Sequence, residues 1–301
     1  RKTKGAGVKV AILDTGCDVG HTDLCQGILD ASDFTRSPVG HFDRNQHGTH
    51  VAGIVGARAN GTGVVGVAPE CGLLIGKVLG DNGSGTDATI LAGVKWAMAK
   101  DADVINLSLG GRGMSASLRA ALQEFIATPG KFVFAAAGND SGPVNEPAAF
   151  PETIAVGAVG KDGRLTKFTS RDPRLDILGP GVGLVSTVPG NRYADMTGTS
   201  MASPFVSAIG ALALAKHRDQ GQGKTPLQTV EDMRAALKAT AKPTPDGFGL
   251  VQPGPLLDRI KAASPLPAAP LPWYVAAALA IGGYTVHQPA RAGDAFSATG
   301  R

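Results

Sequence analysis

A serine, a histidine and an aspartate can together transfer an acyl group, and this chain offers each in a setting suited to that work. Serine is a weak nucleophile at neutral pH and needs a base to take its proton as it attacks. A neutral imidazole can do so and later give the proton to the leaving group. A buried carboxylate holds that imidazole in the correct tautomer and stabilises its charged form. Ser200 lies in Gly198-Thr199-Ser200-Met201-Ala202-Ser203-Pro204, with small residues on both sides of its hydroxyl and an apolar run, 205–215, behind it. His47 opens His47-Gly48-Thr49-His50-Val51-Ala52-Gly53, and Asp14 closes the apolar run 8–13. Taken singly, each has an ordinary use: a helix cap for Ser200 and a turn or cap for Asp14. His47 and His50 stand at i, i+3 and lack the glutamate of the H-E-x-x-H metal pattern.

Three residues so far apart in sequence need rigid elements to bring them together. The β-branched run 8–13 reads as a buried parallel strand closing on the turn Asp14-Thr15-Gly16. Open α/β sheets gather their ligand groups at the carboxyl ends of such strands. Residues 47–55 read as a buried helix entered through a glycine turn, with His47 at its mouth. Ser200 is expected at the start of another helix, with Pro204 in the first turn. The free N–H groups and dipole at such a start favour an incoming negative charge. Further strands are expected at 72–79, 104–109, 131–137 and 154–159, and helices at 87–100, 115–127 and 227–240. That alternation predicts an α/β fold: three layers, with a mostly parallel central sheet covered by helices on both faces.

With 301 residues, 43% hydrophobic and 18% charged, the chain can bury one large core. A net charge of +4 is too weak to argue for nucleic acid. The three cysteines, Cys17, Cys25 and Cys71, form no CxxC, which leaves a zinc knuckle unsupported. Cys17 reads as a small buried hydrophobe, and Cys25 and Cys71 are candidates to pair. The main domain is expected over 1–263. A Pro-rich stretch, 264–272, then leads into an apolar one, 273–286, interrupted by Gly282 and Gly283. It falls short of the roughly 20 apolar residues a membrane span needs. Residues 264–301 are therefore read as a C-terminal extension, with membrane attachment through 271–286 as the alternative.

Segments 10–16, 47–53 and 198–204, in the order Asp, His, Ser, resemble those of the subtilisin-like serine proteases, and the likeness covers residues 7–263. The resemblance implies a serine endopeptidase that cleaves extended polypeptides through an acyl-enzyme. Asp14 would orient His47, His47 would be the general base and acid, and Ser200 the nucleophile, with His50 structural. Asn139, in Ala136-Ala137-Gly138-Asn139, matches the asparagine that joins the Ser200 backbone N–H around the oxyanion. Ser108, Leu109 and Gly110 match the edge that pairs with the peptide, and Gly83, Ser84 and Gly85 the opposite rim.

No cofactor is implied for the chemistry. Asp23 and Asn60 match ligands of a structural calcium, although the glutamine that completes that site is missing from this N-terminus. Phe205 and Ser207 depart from the usual residues after Ser-Pro, which implies altered packing. The loop 140–150 is short, which puts the floor of the main specificity pocket in doubt. The resemblance further implies a monomer with a polypeptide substrate and no nucleic-acid partner, secreted or in the cell envelope, with an intracellular location left open. Two alternatives stand beside it. One is a narrow processing protease held at a membrane by its tail; the other is a non-catalytic relative that only binds peptides.

Overall fold

The computed structural model describes residues 3–220, 227–260, 285–286 and 298–299. One compact unit extends over Arg1–Ala262. Its elements run β1 (Lys9–Asp14), β2 (Ile28–Asp33), α1 (His47–Gly56), β3 (Gly72–Lys77), α2 (Asp87–Ala99), β4 (Val104–Leu107) and α3 (Ala116–Ile126). There follow β5 (Phe132–Ala136), β6 (Ile154–Val159), β7 (Ile177–Pro180), β8 (Leu184–Val188), β9 (Arg192–Met196) and α4 (Thr199–Asp219). The last are α5 (Val230–Thr240), β10 (Lys242–Pro243), β11 (Gly249–Leu250) and α6 (Pro253–Arg259). In the second unit, Ala263–Arg301, the described elements are β12 (Thr285–Val286) and β13 (Ala298–Thr299), paired antiparallel. The expected Pro-rich stretch 264–272 and most of the apolar stretch 273–286 lie outside the described residues. Among the described residues, no helix is long and apolar enough to cross a membrane.

Nine strands form the central sheet, in the order β10-β11-β7-β6-β5-β4-β1-β3-β2. All its pairings are parallel except β10 with β11. Successive side chains of a strand point to opposite faces, and the core divides accordingly. Val10 and Ile12 of β1, with Phe132 and Phe134 of β5, pack into one apolar cluster with α1, α4, α5 and α6. Ala11 and Leu13, with Val133 and Ala135, pack into the other with α2 and α3. The three-layer arrangement is thus written in the strands' alternation, the central strands being mostly apolar because both faces are covered.

Four differences from the expected elements carry physical content. The hairpin β8–β9 and the strands β2 and β7 were not anticipated. β2 mixes Asp30, Ser32 and Asp33 with apolar residues at the sheet edge, so no apolar run announces it. α5 starts at Val230 rather than 227, because Thr229 and Asp232 form a reciprocal capping box. Pro204 stands in the second turn of α4, not the first. Cys25 is exposed while Cys71 is buried, and both thiols are free, so these two candidates to pair do not do so. Burial pushes the Cys71 thiol up to about 12, with Arg58 opposing.

Candidate active site

The sheet places the chemistry at one edge. Asp14 is the last residue of β1, Ser108 follows β4 and Asn139 follows β5, and β1, β4 and β5 are neighbours running in one direction. α1 begins at His47, and α4 begins one residue before Ser200. From β1 the chain builds β2 and β3 on one side and then crosses to β4 on the other. That reversal is where open α/β sheets form ligand crevices.

His47 Nδ1 lies 2.7 Å from Asp14 Oδ1. The same oxygen accepts the Thr15 N–H at 2.7 Å, while Asp14 Oδ2 is buried without a hydrogen-bond partner. Burial pulls the His47 pKa down, but the charge of Asp14, its hydrogen bond and the charge of Asp43 outweigh it. The imidazole ends above its ordinary 6.5. The ring therefore has a strong hold on a proton once it has one, the property of a base that must keep a proton between two steps.

Residues that no motif announced fix this pair. Asp43 is fully buried. Its Oδ1 accepts from Thr15 Oγ1 and from the N–H groups of Asn45 and Gln46. Its Oδ2 accepts from the N–H and Oγ1 of Thr49. Thr15 Oγ1 in turn accepts the Gly48 N–H at 2.9 Å. One carboxylate thus ties the turn before α1 to the end of β1, and the imidazole to its orienting aspartate. Only glycine fits at the seam: a Cβ on Gly48 would lie 2.2 Å from Gly16 O. Gly16 itself has φ +102°, and a Cβ there would lie 2.3 Å from His41 O. The signal for Asp43 was an aspartate followed by a polar loop, a pattern for a side chain capping its own backbone.

Ser200 is half-buried, and its hydroxyl donates to Ser108 O at 3.3 Å rather than to the His47 ring. Its carbonyl is the more firmly held group. Pro204 has no N–H to give the carbonyl four residues back, and Ser108 Oγ donates to Ser200 O instead, at 2.8 Å. Ser108 Oγ accepts from Asn106 Nδ2, and Asn106 Oδ1 accepts from Ser203 Oγ and Ser207 Oγ. A buried amide at the end of β4 therefore anchors the first two turns of α4. Ser207, which stood out as a departure, belongs to this network.

Asn139 Oδ1 accepts both the N–H and the Oγ1–H of Thr199, each at 2.9 Å. With its oxygen committed there, the Asn139 amide nitrogen is left to face a ligand. A Cβ on Gly198 would lie 3.3 Å from that nitrogen, so a side chain at 198 would crowd it. Thr199, immediately before Ser200, carries no role that its place in the sequence motif announces. His50 Nε2 lies 2.9 Å from Leu184 O and 3.0 Å from Ala194 O, which fastens α1 to the hairpin and leaves it no part in the chemistry. Burial pushes the Cys17 thiol strongly up, with Asp43 and Asp18 adding to it. The thiol stays neutral and is no rival nucleophile.

Beside the histidine lies a cleft of about 500 Å³, and Gly83, Ser84, Gly85, Ser108, Leu109 and Gly110 are among the residues that line it. Gly111 is already paired with Glu146 through two backbone hydrogen bonds. Among the described residues, nothing pairs with the backbone N–H and C=O groups of Leu109 and Gly110. They remain open to a strand laid alongside.

Comparisons with known proteins bear on what such a site does. The profile of the subtilase family matches residues 5–258. The chain belongs to the subtilase family. It is 42% identical to subtilisin DY of Bacillus licheniformis over 250 residues, 81% of this chain and 87% of that protein. It is 39% identical to an intracellular serine protease of Paenibacillus polymyxa over 264 residues, 83% of this chain and 80% of that one. With subtilisin E of Bacillus subtilis it shares 40% identity over 243 residues, 79% of this chain and 61% of that protein's length. This subtilase is thus a serine endopeptidase by family, and the site described above is where its chemistry has to be sought.

The expected calcium ligands do meet, but as each other's partners. Asp23 Oδ1 accepts from Asn60 Nδ2 at 3.0 Å, and its Oδ2 accepts from Val64 N and Tyr193 OH. Asn60 Oδ1 accepts from Thr62 N and Oγ1. The side-chain oxygens are spent on protein donors, and no group of three or more His, Cys, Asp or Glu among the described residues could hold a metal. The pair does not fit the set of free oxygens that calcium takes.

Proposed function

We propose that this subtilase hydrolyses peptide bonds of extended polypeptides with Ser200 as nucleophile, His47 as general base and acid, and Asp14 as the carboxylate that orients the ring. The observation that carries the assignment is the 2.7 Å contact between His47 Nδ1 and buried Asp14, at the sheet edge where α4 also presents Ser200. The contact makes Nδ1 the ring's donor and leaves Nε2 as its base.

A substrate strand pairs with Leu109 and Gly110 and lies between the two rims of the cleft. Its arrival takes Ser108 O as a partner for peptide N–H and frees the Ser200 hydroxyl. Rotation about the Ser200 Cα–Cβ bond then turns Oγ from Ser108 O toward His47 Nε2. Oγ bonds to the carbonyl carbon as its proton passes to Nε2, and the oxyanion takes hydrogen bonds from Asn139 Nδ2 and the Ser200 N–H. The C–N bond breaks as His47 returns the proton to the leaving amine. Water repeats the sequence on the ester and restores the serine.

The peptidase domain in this reading is residues 1–263, with 264–301 appended. The family match ends at 258, and the compact unit ends at Ala262.

The test is labelling with a serine-directed fluorophosphonate, followed by mass mapping and by casein hydrolysis with Ser200→Ala. The reading requires a single adduct on Ser200 and loss of hydrolysis in the variant. An adduct elsewhere, or undiminished cleavage by Ser200→Ala, refutes it.

A further inference from the structure

In the cleft beside His47 stands a carboxylate that the reaction does not use. Asp87 is the first residue of α2 and lines the same cleft as His47 and Gly110. Around it the walls are apolar: Leu79, Ile90, Leu109 and Met114 line the same space. Asp87 is half-buried and forms no ion pair among the described residues. One of its oxygens, Oδ2, accepts the Ser115 N–H, and that bond clamps the start of α2 to the cap of α3. The other takes no donor among the described residues.

A cation also lines this cleft, on Arg112, but it is committed elsewhere. Its guanidinium reaches Asp140 Oδ2 at 3.6 Å, next to Asn139, and a Cβ on Gly142 would lie 3.3 Å from the same nitrogen. The nearby Asp81 is neutralised by Lys77 at 2.9 Å. Glu146 Oε2 accepts the Met114 N–H. Among the described residues, Asp87 is therefore the acidic residue lining this cleft with an oxygen left for a ligand.

We infer that Asp87 is a specificity-determining residue, selecting substrates with a lysine or arginine at one position upstream of the scissile bond. The inference rests on the peptide running along Leu109 and Gly110 as proposed above. A long basic side chain suits both features of this end. Its methylenes lie along Leu79, Ile90, Leu109 and Met114, and its charged head reaches the open oxygen of Asp87. A carboxylate fixed by a backbone hydrogen bond loses little freedom when it takes that partner. Strand spacing, about 3.4 Å per residue, sets the selected position at least two residues upstream, because the residues nearest the scissile bond lie against Ser108 and His47.

The experiment profiles the enzyme, Asp87→Asn and Asp87→Ser on a peptide library varied at each of five positions upstream of the cleaved bond. Both replacements keep an oxygen for the Ser115 N–H. The wild type should prefer Lys or Arg over Glu and Gln at one such position by about fivefold or more in kcat/KM, a preference weakened by 0.5 M NaCl. Both variants should lose that preference and keep their selectivity at the residue next to the scissile bond. Upstream selectivity for apolar residues, or a basic preference that survives in both variants, overturns the role of Asp87 while leaving the groove intact. Cleavage indifferent to every upstream side chain overturns the groove reading itself, and this inference with it.

Discussion

Ser108→Ala is the most informative single change in this enzyme, because one hydroxyl serves two buried groups at once. Ser108 Oγ donates to the carbonyl of Ser200 and accepts from Asn106 Nδ2, with Asn106 fully buried and Ser108 nearly so. The carbonyl has no substitute, since the helical donor it would otherwise meet belongs to Pro204. Leaving a buried polar group unpaired costs about 1–3 kcal/mol. With two groups orphaned and some relaxation, the loss is about 2–4 kcal/mol, or roughly 4–16 °C in Tm for a domain of this size. Ser207→Ala makes the control. It removes one of two donors to Asn106 Oδ1 and leaves Ser203 in place, so its cost is below about 1 kcal/mol. Thermal unfolding is measured in a Ser200→Ala background, where self-digestion cannot distort the transition. Kinetics are measured with Ser200 present, and kcat should fall about tenfold or more in Ser108→Ala as the nucleophile's turn loses its anchor. Equal Tm shifts for the two variants, or an unchanged Tm and kcat in Ser108→Ala, would refute the argument that this hydroxyl replaces the missing proline donor.

Asn139→Ala should lower kcat by about 10²–10³ with KM little changed, the established cost of losing such a donor in subtilisin; an equal loss spread into KM would show a binding role instead. The rate should rise with pH through a value above 6.5, because His47 must be neutral to accept the serine proton and Asp14 holds its pKa up. The same raised pKa means the Asp14–His47 pairing adds stability that is complete below about 6.5 and is lost as pH climbs through the folded value. Tm of the Ser200→Ala protein should therefore carry a declining contribution over the window where wild-type kcat/KM rises, and a rate that is flat from pH 5 to 9 contradicts both statements. Asp43→Asn sets an amide NH₂ against the Thr49 donors or the three donors on Oδ1. It should cost about 2–4 kcal/mol in thermal or denaturant unfolding, and it should move the rising limb to lower pH, since the Asp43 charge is one of the terms holding the His47 pKa up.

What the sequence determined by itself was the chemistry and the frame. Short, mostly apolar runs at 8–13, 131–137 and 154–159 are covered on both faces, and such runs have few other uses in a mixed chain. Glycines in Asp14-Thr15-Gly16 and His47-Gly48 marked places where backbones had to touch, and the structure brings those two seams against each other. The proposed nucleophile, base and carboxylate stand out because such groups belong to few side-chain types and sit at element ends. Tertiary structure alone decided who supports them. Asp43, Thr199, Asn106 and Ser207 are ordinary polar residues in a sequence, and their roles arise from partners 6 to 101 positions away. The calcium pair shows the same limit from the other side. Asp23 and Asn60 meet, but whether the carboxylate faces a cation or protein donors depends on Val64 and Tyr193, which only folding brings to it. Periodicity reports which face a residue occupies, and the hydrogen-bond partner across the interface is fixed by packing.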